Sequence, residues 1–231
     1  MALYAIGDLH LSFASDKSMD VWGGNWVGHE QKVMGVFPSL IGPDDTLVLV
    51  GDHSWGRNLK ECEADLQFIM DLPGRKILTR GNHDLFWDSR HTSKLNKLYK
   101  GRLEFLQGGY AVYGTTALVA TKGYADEGND PPERVFQLKD RELMRLQDAI
   151  RKAKTAGFED IIVFLHYPPT DPGQESSLFT DCLEKENIHR VIYAHCHGEE
   201  HFHDSLMGNV RGIEYDLVSG DYRNWVPLRV L

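Results

Sequence analysis

Cysteine is scarce in this chain of 231 residues, with only Cys62, Cys182 and Cys196 present and no Cys-x-x-Cys spacing among them. An odd, sparse set argues against a disulfide framework and suits a reducing compartment. No run of five or more like charges occurs, which excludes an acidic tail or basic arm. Long apolar stretches are missing too. The start, Met-Ala-Leu-Tyr-Ala-Ile-Gly-Asp, lacks a basic segment leading into an apolar run. The expectation is neither signal peptide nor membrane span, and a cytoplasmic location. Positive charge is in deficit, 25 Lys and Arg against 34 Asp and Glu, a formal net charge of -9. The totals carry no basic footprint, so nucleic acid is a less expected partner than a small molecule, and no membrane partner is expected. Repeats and low-complexity segments are absent, and the sequence is silent on oligomeric state.

What is present describes an ordinary globular chain: 42% hydrophobic and 26% charged residues. The length fits a single domain over 1–231. Apolar runs at 3–7, 46–50, 76–79, 161–165 and 191–194 read as short buried strands. Helical spacing marks 31–41, 59–71, 88–100 and, most strongly, 135–156, which ends at Gly157. Two neighbouring strands are expected at 110–113 and 115–120, a polar loop at 122–134, a hairpin around Gly212 within 209–218, and an edge strand within 225–230. The alternation predicts an α/β core carrying a second sheet.

Five of these strands end on a potential metal ligand: Asp8, Asp52, Asn82, His166 and His195. Parallel α/β sheets bind ligands at the carboxyl ends of their strands, so parallel strands would bring all five to one edge. Asp8 and His10 are two apart, as are His195 and His197. In an extended segment, both members of such a pair face one way. Imidazole with carboxylate suits Zn, Fe, Mn or Co without thiolate. Singly, each signal has a bland reading: a hydrogen-bonded turn aspartate, an Asn or Asp accommodating a tight turn, a satisfied core histidine. Together the bland readings need five coincidences.

These residues resemble the calcineurin-like metallophosphoesterase superfamily. The matching motifs are Gly-Asp-Leu-His at 7–10, Gly-Asp-His at 51–53, Gly-Asn-His-Asp at 81–84, His-Tyr-Pro-Pro from His166, and Ala-His-Cys-His at 194–197. Met-Asp-Val-Trp-Gly at 19–23, Ser54-Trp55, Leu-Pro-Gly at 72–74 and Arg-Glu-Leu at 141–143 are similar to a bacterial subgroup known mainly as predicted phosphohydrolases. The resemblance implies a two-sheet αββα sandwich with flanking helices. It also implies two divalent or mixed-valence transition metal ions (Mn, Fe, Zn or Co), with Asp8, His10 and His197 on the first, Asn82, His166 and His195 on the second, and Asp52 bridging. His83 would stand beside the leaving group, with Asp84 orienting it.

The implied activity is hydrolysis of a phosphate ester, diester or monoester, by a hydroxide bridging the metals, with a lean towards a small-molecule or nucleotide diester. Two metals bring +4, Asp8 and Asp52 -2 and hydroxide -1, leaving a core of about +1 that attracts an anionic substrate. A non-catalytic metal-binding interaction module on the same fold is the alternative. Two departures stand out: Ala194 replaces the usual Gly, and His53 stands where the subgroup often has an apolar residue. Ser-Trp-Gly-Arg at 54–57 and Asp84 differ from the protein serine/threonine phosphatase branch. The roles of His53, His91, His201 and His203 stay open. Cys196 is expected to pack. Trp22, Asn25, Trp26, Trp55, Arg57 and Tyr124 fall in loops able to reach the site.

Overall fold

The structure is a computed structural model that describes residues 1–128 and 130–231. Asn129, inside the loop expected at 122–134, lies outside the described residues. Among the described residues there are eleven strands: β1 Leu3–Ile6, β2 Thr46–Val50, β3 Arg75–Thr79, β4 Glu104–Leu106, β5 Gly109–Tyr113, β6 Thr116–Thr121, β7 Asp160–Leu165, β8 Arg190–Tyr193, β9 Gly208–Val210, β10 Ile213–Leu217 and β11 Leu228–Arg229. Six α-helices accompany them among the same residues: α1 His29–Leu40, α2 Glu63–Asp71, α3 Thr92–Leu98, α4 Pro132–Thr155, α5 Leu178–Lys185 and α6 Glu199–His203. The sequence reads as one domain, and the chain divides into two compact units. One comprises Met1–Phe105 with Val218–Leu231, the other Leu106–Leu217.

The first unit is built on a sheet of order β11-β1-β2-β3-β4, in which β1, β2 and β3 run parallel. Every residue of β2, Thr-Leu-Val-Leu-Val, is buried, as expected of a central parallel strand covered on both faces. Leu47 and Leu49 alternate onto one face. There they join Ile6, Leu78, Val33 and Phe37 of α1, and Leu66 and Ile69 of α2, in one core cluster. Each such side chain withdrawn from water contributes about 1.5–3 kcal/mol. The pairing Val50↔Thr79 in β2 and β3 brings residue 52 opposite residue 81 just beyond the strand ends.

The second unit holds a sheet of order β5-β6-β7-β8-β10-β9, with β6, β7, β8 and β10 parallel and β5 and β9 as antiparallel edges. Helix α4 packs on β5 and β6 through Leu146, Ala149, Ile150 and Ala153. Glu142 is buried on that helix but satisfied. It accepts hydrogen bonds from Thr121 Oγ1 at 2.6 Å and Arg145 Nη1 at 2.6 Å, which offset the cost of removing a carboxylate from water. The chain therefore has two parallel-dominated sheets with flanking helices, the fold class expected.

Several elements differ from their sequence reading. Helix α2 begins at Glu63, because residues 59–62 form a turn in which Asn58 and Glu61 hydrogen-bond locally. Helix α4 begins earlier, at Pro132, where proline loses no intrahelical bond. Helix α5 has no counterpart in the sequence reading. Its start is a capping box, with the Ser177 hydroxyl accepting from Phe179 and Thr180 amides and the Thr180 hydroxyl accepting from the Ser177 amide. His201 and His203 lie exposed on the short α6. Among the described residues, no helix is long and apolar enough to cross a membrane.

One buried acid gives a test. Asp65 on α2 accepts the Phe13 amide at 2.9 Å and the Ser54 hydroxyl. Burial raises its pKa above the usual aspartate value, against the opposing pull of those two hydrogen bonds. An acid whose folded pKa is raised stabilises the fold fully at pH below its unfolded value, and this contribution fades as pH climbs through the folded one. Asp65→Asn should therefore gain stability relative to wild type as pH rises from about 4 to 8. Paired denaturation curves at the two ends of that range measure it, and a pH-independent difference would contradict it.

Candidate functional site

Parallel strands in register deliver their carboxyl ends to one sheet edge, and the expected donors lie just past those ends. In the first unit, β1 leads to Asp8 and His10, β2 to Asp52, and β3 to Asn82 and His83. In the second, β7 leads to His166, and β8 leads to His195 and His197. The five strands do not share one edge, as uniform parallel pairing would have required. They are divided, three in one sheet and two in the other.

The paired donors are not extended either. Asp8, His10, Asp52 and His195 all have left-handed backbones, with φ of 60°, 42°, 53° and 73°. Alternation along a strand therefore does not bring the donors of each pair together. Positive φ is uncommon for residues other than glycine, although Asp, Asn and His tolerate it better than most. Such strain gathers where surrounding structure enforces it, commonly at functional sites.

In the first unit the enforcing structure is visible. The Asp8 amide donates to Gly51 O at 3.0 Å, His10 to Asp52 O at 2.9 Å and Leu11 to His53 O at 3.0 Å, so the two loops run as a ladder beyond their strands. His29 closes the other side, its Nε2 2.8 Å from Leu9 O and its Nδ1 3.1 Å from Trp26 O. Nothing in the sequence reading marked His29, whose role is visible only once the loop carrying Leu9 is folded against it. Gly81 meets the β2 loop so closely that a Cβ there would collide with Asp52 Oδ1. This close approach explains the glycine before Asn82.

Asp8, His10 and Asp52 are buried. His10 Nε2 and Asp52 Oδ2 stand 3.6 Å apart. That is long for a hydrogen bond, but it suits two donors each about 2.0–2.2 Å from a shared ion. The other Asp52 oxygen accepts the His83 amide at 2.8 Å, which fixes the carboxylate plane. A carboxylate–imidazole donor set of this kind fits a divalent transition metal. In the second unit the His166 and His195 rings are 5.1 Å apart between centroids, and His166 is fully buried. Glu127, not anticipated from sequence, places Oε1 3.5 Å from His195 Nε2 and accepts a hydrogen bond from Tyr167 Oη at 2.9 Å. His197 is partly buried on the same loop.

The Asp84 side chain is bonded to backbone groups. Its carboxylate accepts three backbone amides: Gly81 at 2.7 Å and Asp52 at 3.1 Å on Oδ2, and His53 at 2.8 Å on Oδ1. Among the described residues, no hydrogen bond joins its side chain to the His83 imidazole. That ring instead lies 5.5 Å from His10 and 4.3 Å from Trp55, between centroids. Asp84 thus ties the loop that carries His83 to the β2 loop. His53 is fully buried, with Nε2 donating to Thr79 O at 2.8 Å, so it packs. His91 is exposed, pairing with Asp88 at 3.6 Å. His203 pairs with Asp204. Asn25 is engaged with Asp221 O and Asn224, and Tyr124 with Asp130. Burial with desolvation pushes the Cys62 thiol up to about 12, so it is inert at neutral pH.

The Asp84 geometry yields a prediction. Asp84→Asn puts an NH2 where a carboxylate oxygen now accepts an amide, leaving at least one buried donor unmet, at a cost of about 1–3 kcal/mol. Metal content and melting temperature should fall together. Lost rate with full metal content and unchanged melting would return Asp84 to a direct role on His83.

Comparisons with known proteins agree with this arrangement. The profile of the calcineurin-like phosphoesterase family matches residues 1–199. Gene 66 protein of Mycobacterium phage L5 is 41% identical over 56 residues, covering 24% of this chain and 27% of that protein. Gene 66 protein of Mycobacterium phage D29 is 29% identical over 100 residues, covering 43% and 49% respectively. The chain thus spans about a quarter and about half of these curated relatives. Among solved structures, the protein of unknown function AQ665 from Aquifex aeolicus aligns with TM-score 0.52 at 19% identity, covering 98% of this chain and 94% of that one. The protein TT1561 of Thermus thermophilus aligns with TM-score 0.51 at 13% identity, over 85% and 82%. These likenesses extend the shared fold over nearly the whole chain. With the motif residues all inside the matched span, the chain belongs to the calcineurin-like phosphoesterase family.

Proposed function

We propose that this protein hydrolyses a phosphate ester with two divalent transition metal ions held by Asp8, His10, Asp52, Asn82, His166, His195 and His197. The observation that carries the reading is the backbone strain at Asp8, His10, Asp52 and His195. Four of the seven expected donors sit in a conformation that is uncommon and costly for residues other than glycine. Family membership supplies the rest of the support.

Ions bound there would activate water at neutral pH and neutralise the phosphoryl oxygens. The residues of the chain do the remainder. Asp8 and Asp52 supply only two negative charges, and the neutral Asn and His donors leave the centre cationic towards an anionic ester. Asp52 is fixed by the His83 amide, so its second oxygen faces His10 without rotating. His83 is partly exposed and can deliver a proton to a departing alkoxide, a contribution typically of 10²–10⁴-fold. The substrate reading is a small-molecule or nucleotide ester, with a lean towards the diester, in the cytoplasm.

The direct assay uses protein reconstituted with Mn, Zn, Fe or Co on bis(p-nitrophenyl) phosphate and p-nitrophenyl phosphate. Turnover is expected, the diester-to-monoester ratio assigns the class, and Asp52→Asn should abolish it. Two ions bound with no turnover on either ester would refute the hydrolase reading. His83→Asn should keep both metals and lose about 10²–10⁴-fold on alkyl esters, with little loss on nitrophenyl esters, whose leaving group needs no acid. An equal loss on both ester types would remove His83 from the acid role.

A further inference from the structure

One aromatic ring beside His83 that belongs to none of the five family motifs is Trp55. Its indole stacks on His10, with centroids 4.9 Å apart and planes 23° from parallel, and lies 4.3 Å from His83. Trp26 closes on His10 from another side, edge-on at 5.8 Å. Trp26 is buried, but Trp55 is only partly so. Its indole N–H is anchored on Met19 Sδ at 3.4 Å, which fixes the ring plane. The ammonium of Lys17, an exposed residue, lies 4.6 Å from the Trp55 ring centroid. A flexible surface cation reaching the π-face shows that this face is open to solvent and attracts a charge or a ring.

We propose that Trp55 is the leaving-group subsite, and that the preferred ester has an alkoxide leaving group carrying a planar ring, as a nucleoside does. The inference rests on the phosphoesterase reading above and on His83 as its acid. Two pieces of chemistry converge. An acid beside the leaving oxygen is useful only for a poor leaving group, a sugar alkoxide rather than an aryl oxide. Whatever extends from that oxygen past His83 meets an indole whose plane is already fixed. A fixed aromatic ring holds a base with little loss of side-chain freedom, and stacking of this sort is tolerant of base identity. Lys17 is long and exposed enough to swing off the ring when a base arrives.

The test compares two non-hydrolysable ligands on metal-loaded protein: the 5′-deoxy-5′-methylenephosphonates of adenosine and of ribose, in which a CH2 replaces the ester oxygen and which differ by the base. Calorimetry should show the adenosine compound binding about tenfold tighter or more in wild type. Trp55→Leu should bring that ratio close to one, while Trp55→Phe, which keeps a ring, retains part of it. Because each protein is judged by a ratio of two ligands, partial loss of folded protein cancels. Equal binding in wild type, or a ratio that survives in Trp55→Leu, overturns the subsite. Nitrophenyl ester turnover with no base discrimination would sink the subsite alone. Absence of both turnover and binding would sink the phosphoesterase reading with it.

Discussion

The carboxylate of Asp84 gathers the amides of Gly81, Asp52 and His53 onto two oxygens, and the first unit's donors depend on that junction. Three backbone N–H groups just beyond the ends of β2 and β3 have no further strand to pair with. In a buried loop each would cost a lost hydrogen bond. One side chain satisfies all three through its two oxygens. The junction ties the turn that begins at Gly51 to the turn that begins at Gly81. It thereby sets where Asp52 points and where His83 stands.

From that tie the rest of the half-site follows by contact. The Asp52 carbonyl receives the His10 amide, and the Asp52 carboxylate receives the His83 amide. Left-handed backbone at Asp8, His10 and Asp52 is tolerable because the ladder between the two loops and the His29 ring on Leu9 hold it in place. Gly81 has a steric rather than a conformational reason to be glycine, since its neighbour is the Asp52 carboxylate itself. The same rigidity would serve the proposed chemistry. Donors that need not reorganise when charge develops are worth more than mobile ones.

Around this polar centre the aromatic residues divide by burial. Trp26, Trp225 and His29 pack on one another within the first unit and are buried. Trp55 shares the same neighbourhood but keeps an accessible face. Buried aromatic area stabilises the loops, whereas accessible aromatic area stays available for contact. In the second unit, Tyr167 is buried. Its ring lies 4.4 Å from His195, and its hydroxyl holds Glu127.

By itself, the sequence determined the strands, the residues that end them and the family. β2 was legible to the residue because a fully buried parallel strand must be apolar throughout. Asp8, Asp52, Asn82, His166 and His195 stood out because a polar residue directly after such a run adds nothing to the core. Tertiary structure alone decided how these residues are aimed. Their division between two sheets depends on long-range pairing, which apolar runs do not encode. The left-handed kinks at Asp8, His10 and Asp52 are held by contacts between distant loops, and a local rule of alternation misjudged them and the kink at His195. Asp84 and His29 act on backbone groups far away in sequence, 31 and 32 residues for the amides that Asp84 draws from the β2 loop and 20 for the Leu9 carbonyl. Any residue type could have stood at the other end of those bonds, because every residue has a carbonyl and all but proline have an amide. No pattern in side chains could have announced them.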